Sequence, residues 1–250
     1  MAPGAVAAAL VEVACTYPTG SEAVTGLAGV DLALFDGQLC AVVGPSGSGK
    51  STLVRCLAGL QAPQRGRVEI GGIDLASLDE RARTVLRRRH LGVVLQHGGL
   101  HPGFTVRENI LLPLTLDHQR VDPAWLDTVV GTLGLGDRLH HRPSELSGGQ
   151  RTKVALARAI IHRPRVLLAD EPTGNLDRST GAEVLALLHQ LAEGHGLCVL
   201  VVTHDLRLAA GAPRAVVLRD GLIVADLVPP SWDELAAWAA PLPEVADAVR

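Results

Sequence analysis

The stretch Gly44–Thr52, "GPSGSGKST", has the residue types and spacing to hold phosphate. It satisfies G-x-x-x-x-G-K-S/T at Gly44, Gly49, Lys50 and Ser51, between a short apolar run and a helical pattern. Gly44, Gly47 and Gly49 let the backbone wrap closely and aim its N–H groups inward, and Pro45, Ser46, Ser48 and Thr52 complete the loop. The helix start adds partial positive charge. Lys50 can reach the β- and γ-phosphates of a nucleotide, and the Ser51 hydroxyl can ligate Mg²⁺. The chain has only two lysines, Lys50 and Lys153, which directs attention to the one in the loop.

Mg²⁺ needs a carboxylate. "RVLLADE" ends an apolar run with Asp170 and Glu171. Asp170 suits the metal, and Glu171, pointing differently, suits a general base on a water in line with the γ-phosphate.

A second phosphate-type turn lies further along, in "ELSGGQRTKVALARA". Ser147 is a good N-cap, and Gly148 and Gly149 allow close approach of an anion to the helix that Gln150 continues. Nothing in this turn supplies a base. One pocket does not easily fit two helix termini around the same γ-phosphate. The expected resolution is that the second turn closes on nucleotide held by another copy, two copies in two-fold symmetry making two composite sites.

These residues require a scaffold of strands ending where the loops begin. Apolar runs at Leu39–Gly44, Leu91–Gln96, Arg165–Asp170 and Leu197–Val202 alternate with helical patterns at Lys50–Leu60, Gly148–Ile161 and Arg178–Ala192. Such alternation predicts an α/β fold with a parallel sheet covered on both faces. Ala9–Tyr17 reads as a first strand, "GRVEIGGIDL" as a hairpin at Gly71-Gly72, and Ala212–Val224 as a strand with a hairpin return. Helices are expected at Thr105–Leu112 and Pro123–Leu133, within a mostly helical insertion at approximately 97–162. The expected division is a nucleotide-binding domain over 1–228 and a tail over 229–250, with a short helix at Trp232–Ala240.

The 250 residues carry a net charge of −3, from 23 basic and 26 acidic side chains, so no general pull toward nucleic acid is expected. The basic run in "RARTVLRRRH" is expected to be a solvated helix face. Cys15, Cys40, Cys56 and Cys198 form no C-x-x-C pair and read as small core residues of a reducing compartment. Glu12 interrupts the N-terminal apolar run, which lacks a basic start, so a strand is expected there rather than a signal peptide. No run reaches the ~18 apolar residues of a membrane span, so a soluble chain that docks onto a membrane protein is expected.

"GPSGSGKST", "LSGGQ" and "LLADEPTGNLD", in this order, resemble the nucleotide-binding subunit of an ABC transporter, over roughly Ala5 to Asp226. "ADEPTGNLD" further resembles the subgroup serving macrolide export, lipoprotein release and the cell-division complex. The resemblance implies a P-loop NTPase core with a parallel sheet, an antiparallel β subdomain and a helical subdomain. It implies ATP and Mg²⁺ as ligands, a homodimer that forms on ATP binding, and a transmembrane permease partner holding the chain at the cytoplasmic face of the membrane. By the same resemblance Gln96 senses Mg²⁺ and the attacking water, Asp177 crosses the dimer interface, His204 contacts the γ-phosphate and Tyr17 stacks on adenine. Leu100, Phe104, Leu111 and Leu112 are candidates for the permease contact, with the insertion's own core as the alternative for Leu111 and Leu112. Thr152 and Lys153 stand where the family usually has Gln and Arg, past the phosphate-contacting turn. The alternative function is signalling that moves no solute, as in cell-division complexes. DNA-repair relatives carry a long coiled-coil insertion and translation relatives carry two cassettes, and this chain has neither.

Overall fold

A computed structural model describes residues 4–19, 22–94, 99–174 and 176–239. Strands β1 (Val6–Thr19) and β2 (Glu22–Phe35) pair antiparallel. β3 (Leu39–Val43) leads through the glycine loop into α1 (Lys50–Leu57). β4 (Arg65–Ile70) and β5 (Ile73–Asp74) form the expected hairpin, followed by α2 (Glu80–His90) and β6 (Leu91–Val94). Helices α3 (Val106–Leu116), α4 (Pro123–Thr132) and α5 (Gly148–Ile160) come next. The chain then runs through β7 (Val166–Asp170), α6 (Arg178–His195), β8 (Cys198–Val202), α7 (Leu206–Ala210), β9 (Arg214–Arg219), β10 (Leu222–Leu227) and α8 (Trp232–Ala239).

Two sheets result, with strand orders β2-β1-β4-β5 and β10-β9-β3-β8-β7-β6. In the second, all neighbours are parallel except the edge pair β9–β10. Its central strands are apolar throughout because both faces are covered. Leu39, Ala41 and Val43 of β3 face one core, with Leu167, Ala169, Val199 and Val201 and the helices α3 to α6. Cys40 and Val42 face the other, with Leu168, Leu200, the helix α1 and the antiparallel sheet. All four cysteines are buried free thiols, as expected, and burial pushes Cys40 and Cys198 up to about 12, so they stay protonated. Leu53 and Leu57 bury fully beneath the glycine loop, each contributing about 1.5–3 kcal/mol to anchoring α1.

Several expectations change in three dimensions. β2 was not anticipated. Its alternation is broken by Gly26 and Gly29, and its partner β1 carries bulges that shift the register between Leu10 and Val13. α3 continues past Leu112 and through Pro113 to Leu116, because Leu114 extends the buried face of Val106, Ile110 and Leu111. α1 stops at Leu57, short of Leu60, where Gly59 turns to φ +63°.

The basic run is not simply a solvated face. Arg83 donates to Leu78 O and Arg87 to Gly59 O, while Arg88 and Arg89 both grip Asp117 at the end of α3, at 3.1 and 3.2 Å. Nor do the four insertion apolars form an exposed patch. Leu111 is buried, Leu112 is half-buried, Leu100 packs against the core and Phe104 stacks on His101. The insertion's own core is the correct account of Leu111.

Candidate functional site

Parallel register assembles the site. Val42 of β3 lies beside Val202 of β8, which lies beside Asp170 of β7. The segments leaving these strands therefore emerge along one sheet edge: the glycine loop after β3, Glu171 after β7 and His204 after β8. Thr203 N–H donates to Val42 O at 3.1 Å, and Glu171 N–H donates to Val202 O at 2.9 Å, so both departing segments are pinned to neighbouring strands. Thr203, which no spacing rule singled out, also accepts from Asp205 N–H and so sets the turn that presents His204.

The loop has the shape of an anion cradle. Gly44, Gly47 and Gly49 have φ values of +157°, +80° and +105°. A Cβ on Gly44 would sit 2.0 Å from Leu218 O, and one on Gly49 the same distance from Gly26 O. Only glycine fits either position. At Gly47 a Cβ would meet nothing within 4 Å, so there the requirement is the backbone conformation alone. Gly49 caps α1 without any side-chain hydrogen bond, whereas Asp79, Thr105, Asp122, Ser147 and Asp177 cap their helices with side chains. The first N–H groups of α1 are thus left for an anion. Lys50 Nζ donates to Gly44 O and Pro45 O, both at 2.8 Å, and so lies along the loop. Pro45, Ser46, Gly47 and Ser51 are exposed, while Ser48 and Thr52 are buried.

Lys50, Asp170 and Glu171 share one electrostatic neighbourhood. Burial lowers the Lys50 pKa, opposed by Glu171 and Asp170. Burial, then the adjacent Glu171, raises the pKa of Asp170, which the Lys50 charge offsets. A half-buried carboxylate held at this cost gains from a cation. The oxygen donors Ser51 and Asp170 match the hard-ligand preference of Mg²⁺. Glu171 has φ +50°, an unusual value for a non-glycine residue, and its side chain is 14% exposed. His204 Nδ1 lies 2.9 Å from Glu171 Oε2. Tyr17 O–H donates to Thr52 Oγ1 at 3.2 Å, which places its ring beside the start of α1. Gln96 lies outside the described residues.

The second turn is built as a helix cap. Ser147 Oγ accepts from Gln150 N–H and Gln150 Oε1 accepts from Ser147 N–H, a reciprocal box. A Cβ on Gly149 would meet Thr180 Cγ2 at 2.5 Å, so α5 begins against the first turn of α6. Asp177 caps α6, accepting from the N–H and hydroxyl groups of Ser179 and Thr180, and these bonds hold its carboxyl well below the usual range. Among the described residues no hydrogen bond or ion pair joins 147–150 to 44–52. The structure therefore brings together Lys50, Asp170, Glu171 and His204, and groups Gly149 with Asp177 through Thr180. A cleft of about 500 Å³ opens beside Asp177, His189, His204 and Arg207, and the glycine loop does not line it.

A glycine loop after a parallel strand, with acids and a histidine at neighbouring strand ends, defines a nucleoside-triphosphatase cassette of the P-loop class. The chain belongs to the ABC transporter ATP-binding family, whose model, "ABC transporter", matches residues 27–174. It is similar to the lipoprotein-releasing system ATP-binding protein LolD 1 of Rhodospirillum rubrum, 44% identical over 218 residues, covering 86% of this chain and 96% of that one. The LolD protein of Anaeromyxobacter dehalogenans is 45% identical over 213 residues, covering 84% and 89%. Among solved structures it is similar to the ABC transporter cassette MJ0796 in its dimeric form, with a TM-score of 0.81, 35% identity, and 90% of this chain and 99% of that one covered. The same cassette, equally similar, was also solved as a dimer in a post-hydrolysis state bound to ADP and Pi. The chain is an ABC-type ATPase, and its sheets and helices form the ABC ATPase fold. Among the described residues no helix is long and apolar enough to cross a membrane.

Proposed function

We propose that this chain is the ATP-hydrolysing subunit of a membrane complex that releases lipoproteins or a related lipid-anchored cargo. On this reading two copies clamp two ATP molecules, and the closure drives a transmembrane permease at the cytoplasmic face. The observation that carries it is the split between two phosphate-type helix starts. Residues 44–52 share a sheet edge with Asp170, Glu171 and His204, while Ser147–Gln150 lies beside Asp177 and, among the described residues, makes no hydrogen bond to them. An exposed phosphate loop and a separate glycine-led helix start can complete each other across a two-fold axis.

In this arrangement the N–H groups of residues 46–52 and Lys50 bind the phosphates, and Tyr17 packs the adenine. Ser51 and Asp170 would hold Mg²⁺, joined by Gln96, and the ion when bound would neutralise charge between the β- and γ-phosphates. Glu171 takes the proton of the attacking water. His204 orients Glu171 and reaches the γ-phosphate of the same site. Ser147, Gly148, Gly149 and Gln150 of the second copy close over that γ-phosphate, and Asp177 lies at the seam. Residues approximately 97–162 would act as a helical arm transmitting closure to the permease, within a domain spanning 1–228, with 229–250 as a tail. The LolD names of the relatives support the cargo class.

Sedimentation of Glu171→Gln tests the composite site. Saturating Mg-ATP is expected to convert it to dimer, and a strictly monomeric protein, with the permease present as well, would overturn the reading. The cargo is tested with the co-purified permease in lipid. ATP turnover should rise when a lipid-anchored protein is supplied, and a rate indifferent to it would count against lipoprotein release.

A further inference from the structure

The phosphate loop is held from behind by a hairpin turn far from it in sequence. β9 and β10 meet at Arg219 and Leu222, with Asp220 and Gly221 between them at φ +50° and +76°. This is the two-residue turn that requires positive φ at both positions. Its glycine does more than reverse the chain. Gly221 N–H donates to Ser48 O at 3.0 Å, inside the loop, and Gly221 O accepts from Ala28 N–H of β2 at 2.8 Å. Gly221 is buried. A Cβ there would lie 3.1 Å from Ala28 N and Leu27 Cα and 3.2 Å from Gly26 O. Gly26 O is the same carbonyl that leaves no room for a side chain on Gly49, and Leu218 O of β9 does likewise at Gly44. Gly26 in turn sits under Tyr17, since its Cβ would meet Tyr17 Cε2 and Thr52 Oγ1 at 2.8 Å.

Three loop positions, Gly44, Ser48 and Gly49, are thus packed against backbone from β2 and from the β9–β10 hairpin. Backbone contacts of this kind fix the direction of the loop N–H groups, so little ordering cost is left for binding phosphate. We infer that Gly221 is a positioning residue for ATP binding: its turn wedges β2 against the phosphate loop and sets the loop's shape. The inference rests on reading residues 44–52 as the ATP phosphate site.

The molecule supplies a matched control. Gly71 and Gly72, at φ +60° and +79°, form the same kind of turn between Ile70 and Ile73, and a Cβ on Gly72 would meet nothing within 4 Å. Gly72→Ala and Gly221→Ala both place a Cβ at positive φ, but only the second pushes on β2, whose Gly26 O packs against the loop at Gly49. Both should lower Tm, while affinity for Mg-AMP-PNP should fall about tenfold in Gly221→Ala alone. Under turnover the loss should appear in KM for ATP more than in kcat. Gly221→Asn adds the same Cβ with less strain, because Asn tolerates positive φ, and should show the same loss of affinity. Equal affinities in the Gly72 and Gly221 variants would overturn the inference. Amide exchange on the unaltered chain gives a reading that does not depend on variant folding. AMP-PNP should slow exchange at Gly221 and Ala28 but not at Gly72, and saturated binding with unchanged exchange at Gly221 would also overturn it. If the unaltered chain does not bind AMP-PNP at all, the assignment of residues 44–52 falls instead.

Discussion

His204 and Glu171, 33 residues apart in the chain, are hydrogen-bonded at 2.9 Å from Nδ1 to Oε2. The pairing follows from the register of β7 beside β8, and from the N–H of Glu171 donating to Val202 O. The histidine is largely exposed, 69% by side chain, while the acid is 14% exposed, so His204 covers Glu171 from the solvent side.

Glu171→Gln is expected to bind ATP as the parent does and to hydrolyse it about 10²–10⁴-fold more slowly, the usual worth of a positioned general base. His204→Ala should also keep binding and lose turnover, through the freed Glu171 and the lost γ-phosphate contact. Phosphate release beside equilibrium nucleotide binding checks both. Parent-like turnover in Glu171→Gln would remove it from the role of base.

Lys50→Ala deletes the only ammonium in the loop. Hydrogen bonds to charged groups contribute about 1.5–3 kcal/mol, so affinity for ATP should fall roughly 10- to 150-fold. Calorimetric titration with Mg-AMP-PNP measures the loss, and unchanged affinity would mean that Lys50 stays bonded to Gly44 O and Pro45 O when nucleotide binds.

Tyr17 offers a ring and a hydroxyl that can be tested separately. Tyr17→Phe keeps the ring and loses the bond to Thr52 Oγ1, and should bind ATP nearly normally. Tyr17→Ala loses base stacking, worth about 1–3 kcal/mol, and should weaken ATP binding while leaving inorganic pyrophosphate binding unaltered. Equal affinities for ATP in both variants would place adenine elsewhere.

Asp117 links α3 to α2 through Arg88 and Arg89. Its hydrogen bonds to Gln119 and Arg88 depress its pKa from 3.8 to about 2. A depressed carboxylate stabilises the fold above its unfolded pKa, and this contribution is lost as pH falls from about 3.8 through about 2. Asp117→Asn should be less stable at neutral pH, and the difference from the parent should shrink across that acid window. Urea midpoints at a series of pH values report it, and a pH-independent difference would contradict the ionic role.

The local chemistry was legible in the chain. The loop at 44–52, the acids Asp170 and Glu171, the cap at Ser147 and most strands follow from glycine placement, capping chemistry and the repeat of apolar residues. Each of these is a property of a few consecutive residues. The Arg81–Arg89 run is a largely exposed helix face as its sequence indicates, but its bonds to Gly59 O and Asp117 were not legible because those partners belong to other elements. β2 escaped because Gly26 and Gly29 interrupt its pattern. Gly26 is there because Tyr17 and Thr52 leave no room for a side chain.

The sequence by itself determined most of the strands and helices, β2 excepted, and which turns could take an anion. Tertiary structure decided which of those turns meet. Strand order and parallel register are set by pairing across the sheet, where every apolar strand offers much the same side chains, so alternation along the chain cannot state that β3, β8 and β7 lie side by side. That arrangement puts Glu171 against His204, and the pairing of β9 with β3 carries Gly221 to the back of the phosphate loop.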